Sequence, residues 1–217
     1  PDMPAAIAPL IDKASTPMLP DRFRVAAFYS ISNCEPGLRG VSLGNFLIKN
    51  VAQQLQRELP RIKTFCTLSP IPGFAAWLLA GPEPDPLPRT RKPLADTVQG
   101  ARQRLLDATG GDLSRLQHPA AHQALKADDE AALHTLCAAY LLHRSTLPGG
   151  DPVARFHLDN GARLERINGR GNMSPKGLRQ SCGLMVNYLY DLDKIEASHT
   201  KFRQGEVARS RAVASLL

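Results

Sequence analysis

A hydroxyl and an imidazole are the side chains of this 217-residue sequence best placed to do chemistry. Ser69 closes the run Thr64-Phe-Cys-Thr-Leu-Ser69 and is followed by Pro70-Ile-Pro72-Gly-Phe74. Residues 62–68 are β-branched, aromatic and apolar, which reads as a buried strand, and the two prolines, lacking ladder N–H groups, forbid its continuation. The serine is left at the carboxyl end of a strand, the side of an open α/β sheet on which ligands bind. It could act on a substrate there, or it could cap the helix beginning near Phe74 or bond within the turn. His157, between Phe156 and Leu158 and just before Asn160-Gly161, reads as a strand residue near a hairpin turn. It is either a proton-transfer group at one end of a sheet or a packed core histidine. A hydrolase triad is weakly supported. Asp159 shares a face with His157 only if a regular strand continues that far, and Ser69 lacks the G-x-S-x-G elbow.

A second signal is the loop Arg39-Gly40-Val41-Ser42-Leu43-Gly44-Asn45, set between a strand and a helix N-terminus. Free N–H groups and the positive helix end attract phosphate oxygens there, and a side chain in place of glycine would hold phosphates away. Close helix–strand packing without a ligand explains the glycines equally well. The loop matches neither G-x-G-x-x-G nor G-x-x-x-x-G-K-[ST].

The elements that must position these groups follow from pattern. Residues 24–32 read as a strand covered on both faces. In the helix that follows, Leu43, Leu47, Val51, Leu55 and Leu59 form an apolar row with Ile48 and Ala52 beside it, and Pro60 ends it. With residues 62–69 this makes one βαβ unit. Residues 74–80 are a short helix, and the proline-rich stretch 81–88 is a surface connection. Residues 93–143 are helical, Ala- and Leu-rich, with breaks at Gly110-Gly111 and Pro119. Leu133, Leu136, Cys137, Tyr140 and Leu141 form the face that docks. Residues 153–168 read as two short strands around Asn160-Gly161, Ser174-Pro175 as a capped helix start, residues 181–190 as a strand, and 191–217 as a polar, helical tail.

Composition narrows the function classes. A net charge of +7 suggests an anionic partner, but the basic residues are scattered and no nucleic-acid-binding motif accompanies them. Cys34, Cys66, Cys137 and Cys182 lie far apart, which reads as reduced thiols rather than a disulfide framework. His118, His122, His134 and His143 lack carboxylate or thiolate company at ligand spacing, so they read as solvated or packed rather than metal-bound. No apolar run reaches membrane-spanning length and no signal layout opens the chain, which gives a cytoplasmic expectation. The start at Pro1 is consistent with a fragment of a longer protein.

The segments Phe28-Tyr-Ser-Ile-Ser32, Gly37-Leu-Arg-Gly-Val-Ser-Leu-Gly-Asn-Phe-Leu-Ile-Lys49, Thr67-Leu-Ser-Pro-Ile-Pro-Gly-Phe74, Phe156-His-Leu-Asp-Asn-Gly-Ala162 and Cys182-Gly-Leu-Met-Val-Asn-Tyr-Leu-Tyr190 together resemble the catalytic domain of malonyl-CoA decarboxylase. The likeness runs over 24–217, with 1–23 as a linker, and is least specific in a helical insertion of about 93–145. It implies an α/β (α+β) fold like that of the GNAT acyltransferases, a mixed sheet with flanking helices in which acyl-CoA enters where two parallel strands splay. The parallel strands would be 24–32 and 62–69, and the CoA pyrophosphate would rest on Arg39–Asn45. The family's catalytic serine and histidine fall on Ser69 and His157, with Tyr190 as a wall of the pocket or an ordinary strand aromatic. The implied reaction is loss of CO2 from malonyl-CoA to give acetyl-CoA, with Ser69 orienting or polarising the malonyl group and His157 protonating the enolate. No metal or other cofactor is implied, and the family's assembly leaves a homo-oligomer open. The chain departs from the family at Gly169, where an aromatic residue is usual, and at Asn172, where a carboxylate is. These departures, with the absent N-terminal part, support an alternative: an acyl-CoA-binding module without turnover.

Overall fold

The computed structural model describes residues 3–16, 18–29, 44–81 and 92–217. Four strands form one mixed sheet: β1 (Val25–Phe28), β2 (Thr64–Thr67), β3 (Arg163–Asn168) and β4 (Met185–Leu189), in the order β1-β2-β4-β3. β1 runs parallel to β2 in the register Phe28↔Thr67, and β4 is antiparallel to both β2 and β3. This is the expected α/β class, with helices flanking a mixed sheet.

A one-turn helix α1 (Ala8–Ile11) precedes β1, and the connection from β1 to β2 passes through α2 (Gly44–Glu58). Its buried stripe differs from the row read in the sequence: Ile48 and Ala52 are buried, whereas Leu47 and Val51 are exposed. Four residues turn a helix by more than one full revolution, so a row taken strictly every fourth residue drifts around the helix by about 40° per step and cannot stay on one face. Ile48, Ala52, Leu55 and Leu59 keep to the sheet instead.

After β2 comes α3 (Phe74–Ala80), as expected. The helical insertion follows: α4 (Lys92–Thr109), a 3-10 turn (Leu113–Gln117), α5 (Pro119–Ala124), α6 (Ala127–Ala139) and a π-helical turn (Tyr140–Arg144). Gly110 and Gly111 both take positive φ, 66° and 87°, a conformation that stops α4 and that a side chain would resist. Leu133, Leu136, Cys137, Tyr140 and Leu141 are all buried, as their spacing requires.

The expectation of a hairpin over 153–168 is overturned. Residues Pro152–Asp159 form a helix, α7, and only Arg163–Asn168 is strand. Asp151 caps α7, accepting from the N–H groups of Val153 and Ala154, and Pro152 occupies the first turn, where its missing N–H costs nothing. Ala154, His157 and Leu158 are buried at the i, i+3, i+4 spacing of one helix face. Asn160-Gly161 is the helix stop rather than a hairpin turn, with Gly161 at φ 77°.

α8 (Pro175–Ser181) is capped by Ser174, which accepts from Gly177 N–H at 3.2 Å. Left-handed Cys182 and Gly183 end it, which delays β4 to Met185 rather than Ser181. α9 (Ile195–Arg203) and α10 (Arg211–Ala214) complete the chain. Part of the expected N-terminal linker is docked: Met3 and Pro4 carbonyls accept from Arg166 and Asn187 at 2.6 and 3.0 Å, and Ile7 N–H donates to Gly171.

Candidate active site

Ser69 lies just beyond β2 but is still held by the sheet. Its N–H donates to the Val186 carbonyl at 2.8 Å and its carbonyl accepts from Val186 N–H at 2.9 Å. The pairings Cys66↔Leu189 and Ser69↔Val186 set Thr67 opposite Tyr188 and Phe65 opposite Tyr190. Because side chains alternate along a strand and opposite residues share a face, Thr67, Ser69, Tyr188 and Tyr190 stand on one side of the sheet.

His157 meets that side from α7. Its Nε2 is 3.0 Å from Ser69 Oγ and its Nδ1 is 2.9 Å from the Tyr190 hydroxyl. Ser69 Oγ in turn donates to Thr67 Oγ1 at 2.8 Å. The Tyr188 ring stacks on the imidazole with centroids 4.7 Å apart, while Phe156 and Tyr190 approach it edge-on. The expected convergence of Ser69 and His157 is therefore present, and Tyr190 is more than a wall: it is a hydrogen-bond partner of the imidazole.

Burial decides the charge of these groups. His157 is 3% exposed, and desolvation pushes its pKa down to about 3, so at neutral pH it is an uncharged imidazole carrying one N–H. Desolvation drives the Tyr190 phenol far up, so it keeps its proton. The pair is thus a neutral hydrogen-bonded chain, able to polarise a carbonyl or receive a proton when negative charge develops beside it.

Asp151 fixes the spacing of the two. It is 1% exposed; Oδ1 accepts from Val153 and Ala154 N–H at 3.0 Å, and Oδ2 accepts from Gly73 N–H at 3.0 Å. The Tyr140 hydroxyl donates to it as well. Burial raises the Asp151 pKa, and these hydrogen bonds pull it back. One carboxylate thereby ties the loop that follows Ser69 to the helix that carries His157. Gly73 must lack a side chain, because a Cβ there would fall 2.2 Å from the Tyr140 hydroxyl oxygen.

Other expected site residues are not brought to this point. Residues 39–43 of the glycine loop lie outside the described residues; Gly44 and Asn45 open α2. Asp159 is no partner for His157: it sits at the end of α7, beside His199 and Arg203. A Cβ at Gly169 would approach His134, and Asn172 Oδ1 accepts from Ser174 N–H at 3.1 Å. Among the described residues no group of three His, Cys, Asp or Glu is arranged to hold a metal. His122 is a packed histidine, hydrogen-bonded to the Leu116 carbonyl. Thr67 and Tyr188 carry no local mark in the sequence, whereas Asp151 does. Asp151-Pro152 carries the same cap signature as Ser174-Pro175 and could have been found by it.

A family model described as the malonyl-CoA decarboxylase C-terminal domain matches residues 1–217. The mitochondrial malonyl-CoA decarboxylase of Anser anser anser is 42% identical over 182 residues, covering 80% of this chain and 36% of that protein. That of Mus musculus is 38% identical over 192 residues, covering 80% and 37%. Crystal structures of malonyl-CoA decarboxylase from Rhodopseudomonas palustris and Cupriavidus metallidurans superpose with TM-scores of 0.76 and 0.78 at 43% and 39% identity. They cover 99% and 100% of this chain, and this chain spans 47% and 52% of theirs. The chain therefore spans roughly a third of the curated relatives it matches and about half of the crystallised ones.

Proposed function

The chain belongs to the malonyl-CoA decarboxylase family, and from that premise we propose that it converts malonyl-CoA to acetyl-CoA and CO2 at the Ser69–His157 pair. The observation that carries the proposal is the 3.0 Å contact between Ser69 Oγ and His157 Nε2, made by residues 88 apart in sequence and both buried. In the GNAT-like α/β fold of this family, that contact lies at the carboxyl end of a central strand.

The reaction asks for two things. The bond between the malonyl carbon and its carboxylate breaks, CO2 leaves, and the electron pair moves onto the thioester oxygen as an enolate. The carbon then takes one proton. A donor aimed at the thioester oxygen stabilises the enolate by about 3–4 kcal/mol. We assign that task, or the holding of the malonyl carboxylate, to the Ser69 hydroxyl. We assign delivery of the proton to His157: negative charge arriving with the substrate and growing on the enolate raises its proton affinity, so the neutral imidazole takes up one solvent proton, hands one to the carbon and returns to the neutral form. The thioester is its own electron sink, so this sequence of steps calls for no metal or further cofactor. We assign the CoA pyrophosphate to Arg39, Gly40, Val41, Ser42, Leu43, Gly44 and Asn45, supported by the start of α2 at Gly44, since the first turn of a helix has N–H groups with no partner inside the helix.

Among the described residues no helix is long and apolar enough to cross a membrane. The free, buried thiols of Cys66, Cys137 and Cys182 support a reducing compartment, which we take to be cytoplasmic. Incubating the chain with malonyl-CoA tests the proposal: acetyl-CoA and CO2 should appear in equal amounts. Tight CoA binding without acetyl-CoA would identify an acyl-CoA-binding module instead.

A further inference from the structure

Side chains reinforce the β2–β4 pairing directly beneath the histidine. Tyr190 N–H donates to the Phe65 carbonyl at 2.8 Å, and Ser69 and Val186 exchange both main-chain bonds. Between them, at Thr67 and Tyr188, side chains take part in the pairing. Tyr188 N–H donates to Thr67 Oγ1 at 3.3 Å, and the Thr67 carbonyl accepts from Asn187 Nδ2 at 2.7 Å. The threonine hydroxyl oxygen is thus committed on one side to a main-chain N–H, which can only donate. It keeps a second lone pair and its own O–H; the side chain, which has no exposure to solvent, meets Ser69 Oγ at 2.8 Å with Ser69 as the donor. At the far end of the chain the Tyr190 hydroxyl lies 2.9 Å from His157 Nδ1.

We propose that Thr67 is a positioning residue: by accepting from the Ser69 hydroxyl it fixes the direction of the whole hydrogen-bonded chain and holds His157 in the tautomer protonated at Nε2. Without substrate the order is then Tyr190 O–H to Nδ1, Nε2–H to Ser69 Oγ, and Ser69 O–H to Thr67 Oγ1; a bound malonyl thioester takes the Ser69 proton over from Thr67. The proton on the imidazole is placed on the side of Ser69, where the proposed reaction requires one; the catalytic consequence, though not the tautomer, rests on that reading. Were Thr67 the donor, every bond would reverse and the imidazole proton would sit at Nδ1, facing the phenol oxygen.

Long-range proton–nitrogen spectra of the full chain, labelled with 15N-histidine at pH 7, read the tautomer directly. The expected result is a protonated Nε2 on His157. Thr67→Val keeps the shape and removes the acceptor, so the Ser69 proton should turn to Nε2 and the imidazole should switch to the Nδ1–H form. Its kcat for malonyl-CoA should fall about a hundredfold or more, the scale of a misplaced general acid, with KM within about twofold of the parent because no substrate contact is removed. Thr67→Ser should keep both tautomer and kcat. An Nδ1–H tautomer in the parent chain, or a Thr67→Val variant with unchanged tautomer and kcat, overturns the proposal. If Thr67→Val does not fold, the parent spectrum still decides. A parent chain with the Nε2–H tautomer, a switching Thr67→Val variant and no acetyl-CoA production would retain the role of Thr67 and reject decarboxylation.

Discussion

Strand β4 separates two buried polar clusters that differ in how completely their hydrogen bonds are made. On one side Asn187, fully buried, uses all of its capacity: Nδ2 donates to the Thr67 and Pro4 carbonyls, and Oδ1 accepts from Arg166 Nε and Asn168 Nδ2. On the other side His157, Ser69, Thr67 and Tyr190 form a single file, and the Tyr188 hydroxyl beside them has no hydrogen-bond partner among the described residues. A saturated cluster has one arrangement and serves the fold. A file of hydroxyls around a neutral imidazole has protons that can be reassigned, which is what chemistry at a developing charge needs. The two meet at Thr67, whose carbonyl belongs to the first and whose hydroxyl belongs to the second.

Breaking each side should therefore be read in a different measurement. The largest effect is expected for His157→Gln, which should lower the rate of acetyl-CoA release about 10²- to 10⁴-fold, the range of a lost acid–base group. On the saturated side, Asn187→Ala strands the Thr67 and Pro4 carbonyls. It should cost about 2–4 kcal/mol of stability in a denaturant titration, more than a surface change would.

Acid sharpens the contrast. The His157 pKa is about 3 in the folded chain and ordinary, near 6.5, when unfolded. Its contribution to stability is complete above about pH 6.5. It is lost as pH falls toward 3, because the unfolded chain binds the proton that the folded one refuses. Denaturation midpoints measured across that window should show a slope of up to about 1.4 kcal/mol per pH unit from this residue, and His157→Gln should remove it. The smallest effect is Tyr188→Phe, which deletes a buried hydroxyl without a partner; stability should hold or rise by up to about 1 kcal/mol, with the stacked ring retained.

What could be read in advance was local. Pro70 and Pro72 mark the end of β2 and leave Ser69 there, Gly110-Gly111 divides the helical insertion, and Ser174-Pro175 starts α8, each through chemistry confined to a few residues. The sequence pattern puts His157 at the right end of the sheet but on a strand, whereas it lies on α7. Phe156 and Leu158 around it suit a strand as well as a helix, and Asn160-Gly161 stops a helix as readily as it turns a hairpin. The Asp151-Pro152 cap was the deciding signal. Thr67, Tyr188 and Asn187 had no such mark, because their roles come from pairing β2 with a strand 120 residues further on. A register between distant segments leaves no pattern in either one. The exposure of Leu47 and Val51 was hidden by a row that matches the helix only over short distances.

The central claim, that Ser69 and His157 act as one unit on a malonyl thioester, is tested most directly by a double-mutant cycle on acetyl-CoA release. Four proteins are compared: the parent chain, Ser69→Ala, His157→Ala and the double variant. The account predicts that the double variant is no slower than the worse single one, as residues serving one step behave. Losses that multiply, or near-parental turnover in either single variant, would contradict it.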